Sequence, residues 1–135
     1  NQVIGEDENS HVIINTVAEN VIFSGDDFYL ISLFQNLIDN AQKYSPDGSE
    51  INIYSESTPN KIIICISDQG VGIAENEKLK IFDRFYRIED EETRSSKGTG
   101  LGLFLVNQIV KMHGGKIICK NNTPLGSIFE LHFKK

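Results

Sequence analysis

At 135 residues the chain has the length of one domain, enough to bury a core without disulfide or metal staples. Its 39% hydrophobic and 24% charged residues fit a globular domain, and a net charge of −6 gives no electrostatic case for nucleic acid or an anionic membrane surface as partner. No apolar run reaches the length of a membrane span, and no signal-peptide pattern opens the chain.

Residues 1–10 are polar and acidic and are expected to be a flexible N-terminal stretch of an excised segment, with a single domain over 11–135. Val12-Ile13-Ile14 and Val21-Ile22-Phe23 read as short strands. Asp26 or Asp27 is placed to cap the helix that follows. That helix is stopped near Tyr44 by Ser45-Pro46-Asp47-Gly48, a strong turn signal. The alternation of residues 51–56 predicts a half-exposed strand, and the nearly continuous apolar run 61–67 a central one, joined as a hairpin. A short helix is expected from about Ala74 to Lys80, and a lid loop over residues 88–98. A second long helix follows with Leu101, Phe104, Leu105, Ile109 and Val110 on its buried side, ending at His113-Gly114-Gly115. A final hairpin comprises residues 116–120 and 126–133. The order predicts an α+β two-layer sandwich, with helices on one face of a mixed, mostly antiparallel sheet. Cys65 and Cys119 read as reduced, buried thiols without metal-ligand spacing, and His11, His113 and His132 as structural or surface residues.

The first helix has one face too many. Leu30, Leu33, Phe34, Leu37, Ile38 and Ala41 form the apolar arc, and Gln35, Asp39 and Gln42 the wet one. Asn36, Asn40, Lys43 and Tyr44 share a third arc of roughly 100° beside the core, where two amides, an ammonium and a phenol suggest a site. The plain alternative is local hydrogen bonding by the amides and a solvated lysine. Two glycine clusters bear on the choice. Asp68-x-Gly70-x-Gly72 ends the buried strand, where glycine permits close approach to the backbone and an ionised Asp68 needs a donor, such as the exocyclic amine of a purine. Gly98-x-Gly100-x-Gly102 opens the second helix, where exposed N–H groups and the helix dipole make an anion site. Neither a Walker loop nor a dinucleotide fingerprint is present, and each cluster alone is equally readable as a tight turn.

Together the motifs resemble the catalytic domain of histidine kinases. Residues 36–44, Asn-Leu-Ile-Asp-Asn-Ala-Gln-Lys-Tyr, are similar to its N box, and Asp68 to Ile73 to its first glycine box. Ile81 to Arg87 resemble its F box, and Lys97 to Leu103 its second glycine box. The resemblance spans nearly the whole chain and implies the Bergerat ATP-binding fold shared with gyrase and Hsp90-type ATPases. It implies ATP and Mg²⁺ as cofactors, with Asn40 as the metal ligand and Asn36 acting on the metal through water or on the phosphates. An amide oxygen is a hard, neutral ligand suited to Mg²⁺. Lys43 is implied at a phosphate, Tyr44 against the adenine, Asp68 on its amino group, and Gly70, Gly72 and Ile73 at the base. Phe82 and Phe85 would anchor the lid, and Arg87 would approach the γ-phosphate, with Arg84 the weaker candidate. Lys97, Gly98, Thr99, Gly100, Leu101 and Gly102 would cradle the phosphates.

Hydrolysing relatives carry a Glu one turn before the metal Asn. Asn36 stands there and is no general base, so the resemblance implies a donor of the γ-phosphoryl group. No phosphoacceptor motif surrounds any histidine. The implied nucleophile lies on separate dimerisation and phosphotransfer helices of a homodimeric parent, with a response regulator downstream. The domain is expected in the cytoplasm, without membrane contact of its own, whether or not the parent is anchored in the inner membrane. Two other readings remain open here: a non-transferring nucleotide sensor, and an ATPase of the same fold.

Overall fold

A computed structural model describes residues 2–6, 11–17, 25–84 and 102–135. The expected strand at 21–23, the lid, and the site residues Phe85, Arg87, Lys97, Gly98, Thr99, Gly100 and Leu101 lie outside the described residues.

The three-and-four periodicity becomes helix α1, Asp27–Tyr44. Asp26 caps it: its Oδ1 accepts from the Tyr29 N–H at 3.3 Å, satisfying one of the donors a helix start leaves unpaired. Asp27 in the first turn and Lys43 in the last oppose the two ends of the helix dipole. The helix stops at Ser45, whose φ of −107° and ψ of 147° are extended, as expected for a residue preceding proline. Leu33, Leu37 and Ala41 are buried, with Phe34 and Ile38 packed at the margin.

Six strands form one sheet among the described residues: β1 (Gln2–Glu6), β2 (Val12–Asn15), β3 (Glu50–Ser57), β4 (Lys61–Ser67), β5 (Lys116–Asn121) and β6 (Ser127–Lys134). Their spatial order is β1-β2-β3-β4-β6-β5, parallel only between β2 and β3. The apolar run of β4 is thus flanked on both sides, as its composition requires. Every second residue of the central strands (Ile51 and Ile53, Ile62 to Ile66, Phe129 to Phe133) faces the helices and closes the core. Helix α2, Gly102–Met112, packs beside α1 through Val106, Ile109 and Val110. It ends as its glycines predict: Gly114 takes φ +73°, and the Gly115 N–H donates to the Val110 carbonyl at 2.9 Å. The result is the expected two-layer α+β sandwich.

Four expectations need correction. Residues 2–6, expected to be frayed, pair antiparallel with β2, because an edge is extended by main-chain hydrogen bonds that make no demand on side-chain polarity. The helix expected over 74–80 is two 3₁₀ turns, Glu75–Glu77 and Lys80–Phe82. So short a segment offers too few α-type bonds to offset helix nucleation. On α2, Leu105 is 44% exposed and Val106 is buried instead. Ile109 and Val110 are buried as expected, and the contact of the helix with α1 and the sheet, not its own pattern, selects Val106 over Leu105. Cys119 is only partly buried, since β5 is an edge strand.

Candidate functional site

Beyond β4 the chain turns sharply, and Asp68 is only 4% exposed there. Its Oδ1 accepts from two main-chain donors, the Gly70 N–H at 2.9 Å and the Ser127 N–H at 3.2 Å. Burial pushes the Asp68 carboxyl up, and these two bonds pull it partly back. Its backbone is tied as tightly: the N–H donates to the Ser127 carbonyl at 2.9 Å and the carbonyl accepts from the Asn122 amide at 2.7 Å. Two glycines make this packing feasible. A Cβ on Gly70 would lie 2.3 Å from the Tyr44 carbonyl oxygen, and one on Gly126 would lie 2.0 Å from the Asp68 carbonyl oxygen. Gly72 takes φ +79°, closed to most side chains. Ile73 and Phe82 pack against the core, Phe82 edge-on to Phe129 with ring centroids 6.2 Å apart.

The first glycine box therefore sits on the C-terminal end of α1. The other end of the functional face meets α2. A Cβ on Gly102 would approach the Asn36 Oδ1 at 3.2 Å, so the start of α2 abuts that amide. The Asn36 Nδ2 donates back to the Ser32 carbonyl at 2.7 Å, which directs its oxygen toward Gly102. Asn40, one turn on, is partly buried, and its side-chain amide joins no hydrogen bond among the described residues. The Lys43 Nζ lies 5.2 Å from the centroid of the Tyr44 ring. Eight residues of helix separate Asn36 from Tyr44, about 12 Å along the axis. An extended nucleotide laid there would put its base near Asp68 and its phosphates at the start of α2, an anion-favouring helix end. The residues present fit both parts of a metal–nucleotide: a buried carboxylate acceptor at one end, a neutral oxygen donor and a helix N-terminus at the other.

The fold thus gathers Asn36, Asn40, Lys43, Tyr44, Asp68, Gly70, Gly72 and Gly102 along one side of α1. The Arg84 guanidinium lies 4.8 Å from the Phe104 ring centroid. Sequence reasoning missed Ser127, Gly126 and Asn122, which hold Asp68 from 54 or more positions away. Gly126 opening a strand was a visible signal; the register that brings β6 to Asp68 was not.

A two-layer sandwich carrying this constellation defines a nucleotide-binding ATPase domain, and the chain belongs to the histidine kinase-, DNA gyrase B- and HSP90-like ATPase family, whose profile matches residues 25–135. It is similar to the sensor protein CiaH of Streptococcus pneumoniae, 42% identical over 106 residues, 78% of this chain and 24% of that protein. To the sensor protein SrrB of Staphylococcus aureus it is 41% identical over 100 residues, 74% of this chain and 17% of that protein. The chain thus spans a quarter or less of these curated relatives. Among solved structures it resembles the mycobacterial sensor histidine kinase MprB, with a TM-score of 0.79 at 30% identity over 92% of this chain and 81% of that one. The catalytic domain of the histidine kinase ThkA follows at TM-score 0.77 and 28% identity, over 94% and 81%. Family membership makes ATP the ligand class of the domain.

Proposed function

We propose that residues 11–135 form one catalytic unit that binds Mg²⁺–ATP and donates the γ-phosphoryl group to a histidine on separate dimerisation and phosphoacceptor helices of a longer, homodimeric sensor kinase. The observation that carries this reading is Asn36. It lies against the start of α2 with its Nδ2 engaged by the Ser32 carbonyl. An amide so held has no basicity with which to activate water. The phosphoryl group is kept for another nucleophile.

Each residue acts by position. Asp68 accepts from the exocyclic amine of the base, and Gly70, Gly72 and Ile73 let the ring approach the backbone. Tyr44 lies against the base, and Lys43 reaches a phosphate. The Asn40 carbonyl oxygen would supply a metal ligand, with Asn36 acting through water, and Mg²⁺ so held would supply charge neutralisation at the phosphates. Arg87 would act on the γ-phosphate, Phe82 and Phe85 would anchor the lid, and Lys97, Gly98, Thr99, Gly100, Leu101 and Gly102 would hold the phosphates. In-line transfer needs positioning and charge neutralisation more than covalent help. A response regulator would receive the phosphoryl group next. The domain would work in the cytoplasm, whether or not its parent is anchored in a membrane. No helix of the described residues is long and apolar enough to cross a membrane.

The test supplies the parent's helical domain in trans with this chain and Mg²⁺–ATP and looks for phosphohistidine. Transfer is expected, and Asn40→Ala should abolish it while weakening Mg²⁺-dependent nucleotide affinity at least about tenfold. Full transfer by Asn40→Ala would remove the metal-site assignment. Nucleotide binding without transfer would favour a sensor.

A further inference from the structure

Charge is segregated along this acidic chain: residues 111–135 carry Lys111, Lys116, Lys120, Lys134 and Lys135 against Glu130 alone. The sheet concentrates part of that charge at the end of β4 remote from Asp68, roughly 20 Å away along the strand. Lys61 opens β4, Lys134 ends β6 directly opposite it, and Lys116 opens β5 opposite His132. These residues, with Gly114, Gly115 and the buried Phe133, line a cleft of about 250 Å³. A Cβ on Gly115 would lie 2.4 Å from the His132 carbonyl oxygen, so glycine permits the loop after α2 to close one wall.

Two features distinguish the cleft from a solvated lysine surface. Lys61 and Lys134 are like charges paired across interior strands, an arrangement that costs stability. Lysines on the edge strand β5 blunt unwanted strand pairing, whereas Lys61 and Lys134 face each other where two inner strands end. Second, the Lys61 ammonium is held. Its Nζ lies 3.4 Å from the His132 Nδ1, while the His132 Nε2–H donates to the Glu130 Oε1 at 3.0 Å, which assigns Nδ1 as the acceptor. The second oxygen of Glu130 is engaged by Lys120 at 3.1 Å. Among the described residues, no carboxylate lies within ion-pair distance of Lys61, Lys116 or Lys134.

We propose that this cleft docks an acidic segment of a protein partner, with clustered carboxylates engaging Lys61, Lys134 and Lys116. The cleft holds only a few side chains, and the negative remainder of the domain repels an extended polyanion, so a short acidic peptide fits better than nucleic acid or an anionic bilayer. The site is independent of the nucleotide reading.

Fluorescein-labelled hexaglutamate, titrated by fluorescence polarisation into the full 135-residue chain at about 50 mM salt to limit screening, tests this. Saturable binding is expected, with amide NMR shifts centred on Lys61, Lys116, His132 and Lys134. The double variant Lys61→Ala with Lys134→Ala should weaken binding about tenfold, the scale of two modest ion pairs. It should leave Mg²⁺–ATP affinity unchanged, and arginine at both positions should restore the peptide. The proposal is overturned if hexaglutamate does not bind, if the shifts spread over all lysines, or if the alanine pair binds as wild type. Inorganic phosphate or duplex DNA displacing the probe as well as unlabelled hexaglutamate would overturn it too.

Discussion

Asp68 is the residue at which the chemistry of the site is most exposed to test. Burial places its folded-state pKa above the ordinary carboxylate value, so the folded protein binds more protons than the unfolded chain just above that value. Raising the pH through the elevated pKa therefore costs stability, and the ionised form so produced is the one an exocyclic amine needs. Nucleotide affinity should fall on acidification at a pH above the ordinary Asp range, read by calorimetric titration from about pH 7 to pH 4. Asp68→Asn keeps an oxygen for Gly70 and Ser127 but removes the buried charge. It should lose affinity at least about tenfold without a fall in Tm. Unchanged affinity would remove Asp68 from the base site. Glu130 has the opposite sign. Burial would raise it, but hydrogen bonds from His132 and Lys120 hold it below the usual range, so its contribution is complete above that range and lost as pH falls through the folded value. The two thiols follow from burial as well. Cys65 and Cys119 are pushed up to about 11, so both should resist a thiol-reactive chromogen at pH 8 in the native protein and react fully in denaturant. Rapid native labelling of Cys65 would contradict its burial.

Between elements, the decisive contacts lie at the two ends of α1. His113, just past α2, accepts from the Asp26 N–H through Nε2 at 3.0 Å and donates from Nδ1 to the Ile109 carbonyl at 2.8 Å. One imidazole tautomer thus joins the start of α1 to the end of α2. His113→Ala should cost about 1–2 kcal/mol in urea unfolding, and His113→Gln should recover part of it by keeping a donor and an acceptor. At the other end, Gly70→Ala would set a Cβ 2.3 Å from the Tyr44 carbonyl oxygen and drive the glycine box off the helix. Nucleotide affinity should fall sharply, while far-UV circular dichroism keeps its helical signal; wild-type affinity in that variant would detach the glycine box from binding.

For the molecule as a whole, the chain should bind Mg²⁺–ATP yet not phosphorylate itself. His11 is 1% exposed and its Nε2 lies 3.1 Å from the Ser45 carbonyl oxygen, His113 bridges the helices, and the His132 ring is held by Glu130 and Lys61. None is presented as a nucleophile. Incubation with ³²P-labelled ATP should leave the protein unlabelled, and strong incorporation would refute the proposed division of labour.

Much of the fold and site is legible in the amino-acid sequence, because local physics writes it into short stretches. The period of α1, the proline that ends it and the glycines that end α2 each act within a few residues. The third arc of α1 needs only helical geometry to appear, though the motifs around it are required to give it a meaning. What lies beyond reach depends on register. Nothing near Ser127, Gly126 or Asn122 announces that β6 will bring them to Asp68, and nothing in α2 says that Val106 rather than Leu105 is buried. Nor does the spacing of Lys61, Lys116 and Lys134 reveal that antiparallel pairing sets them around one cleft. The sequence by itself determined the elements and the chemical types at the site, since propensity, capping and side-chain chemistry are properties of a residue and its near neighbours. Only the tertiary structure decided which groups meet, because strand register and helix rotation are selected by the packing of the whole core.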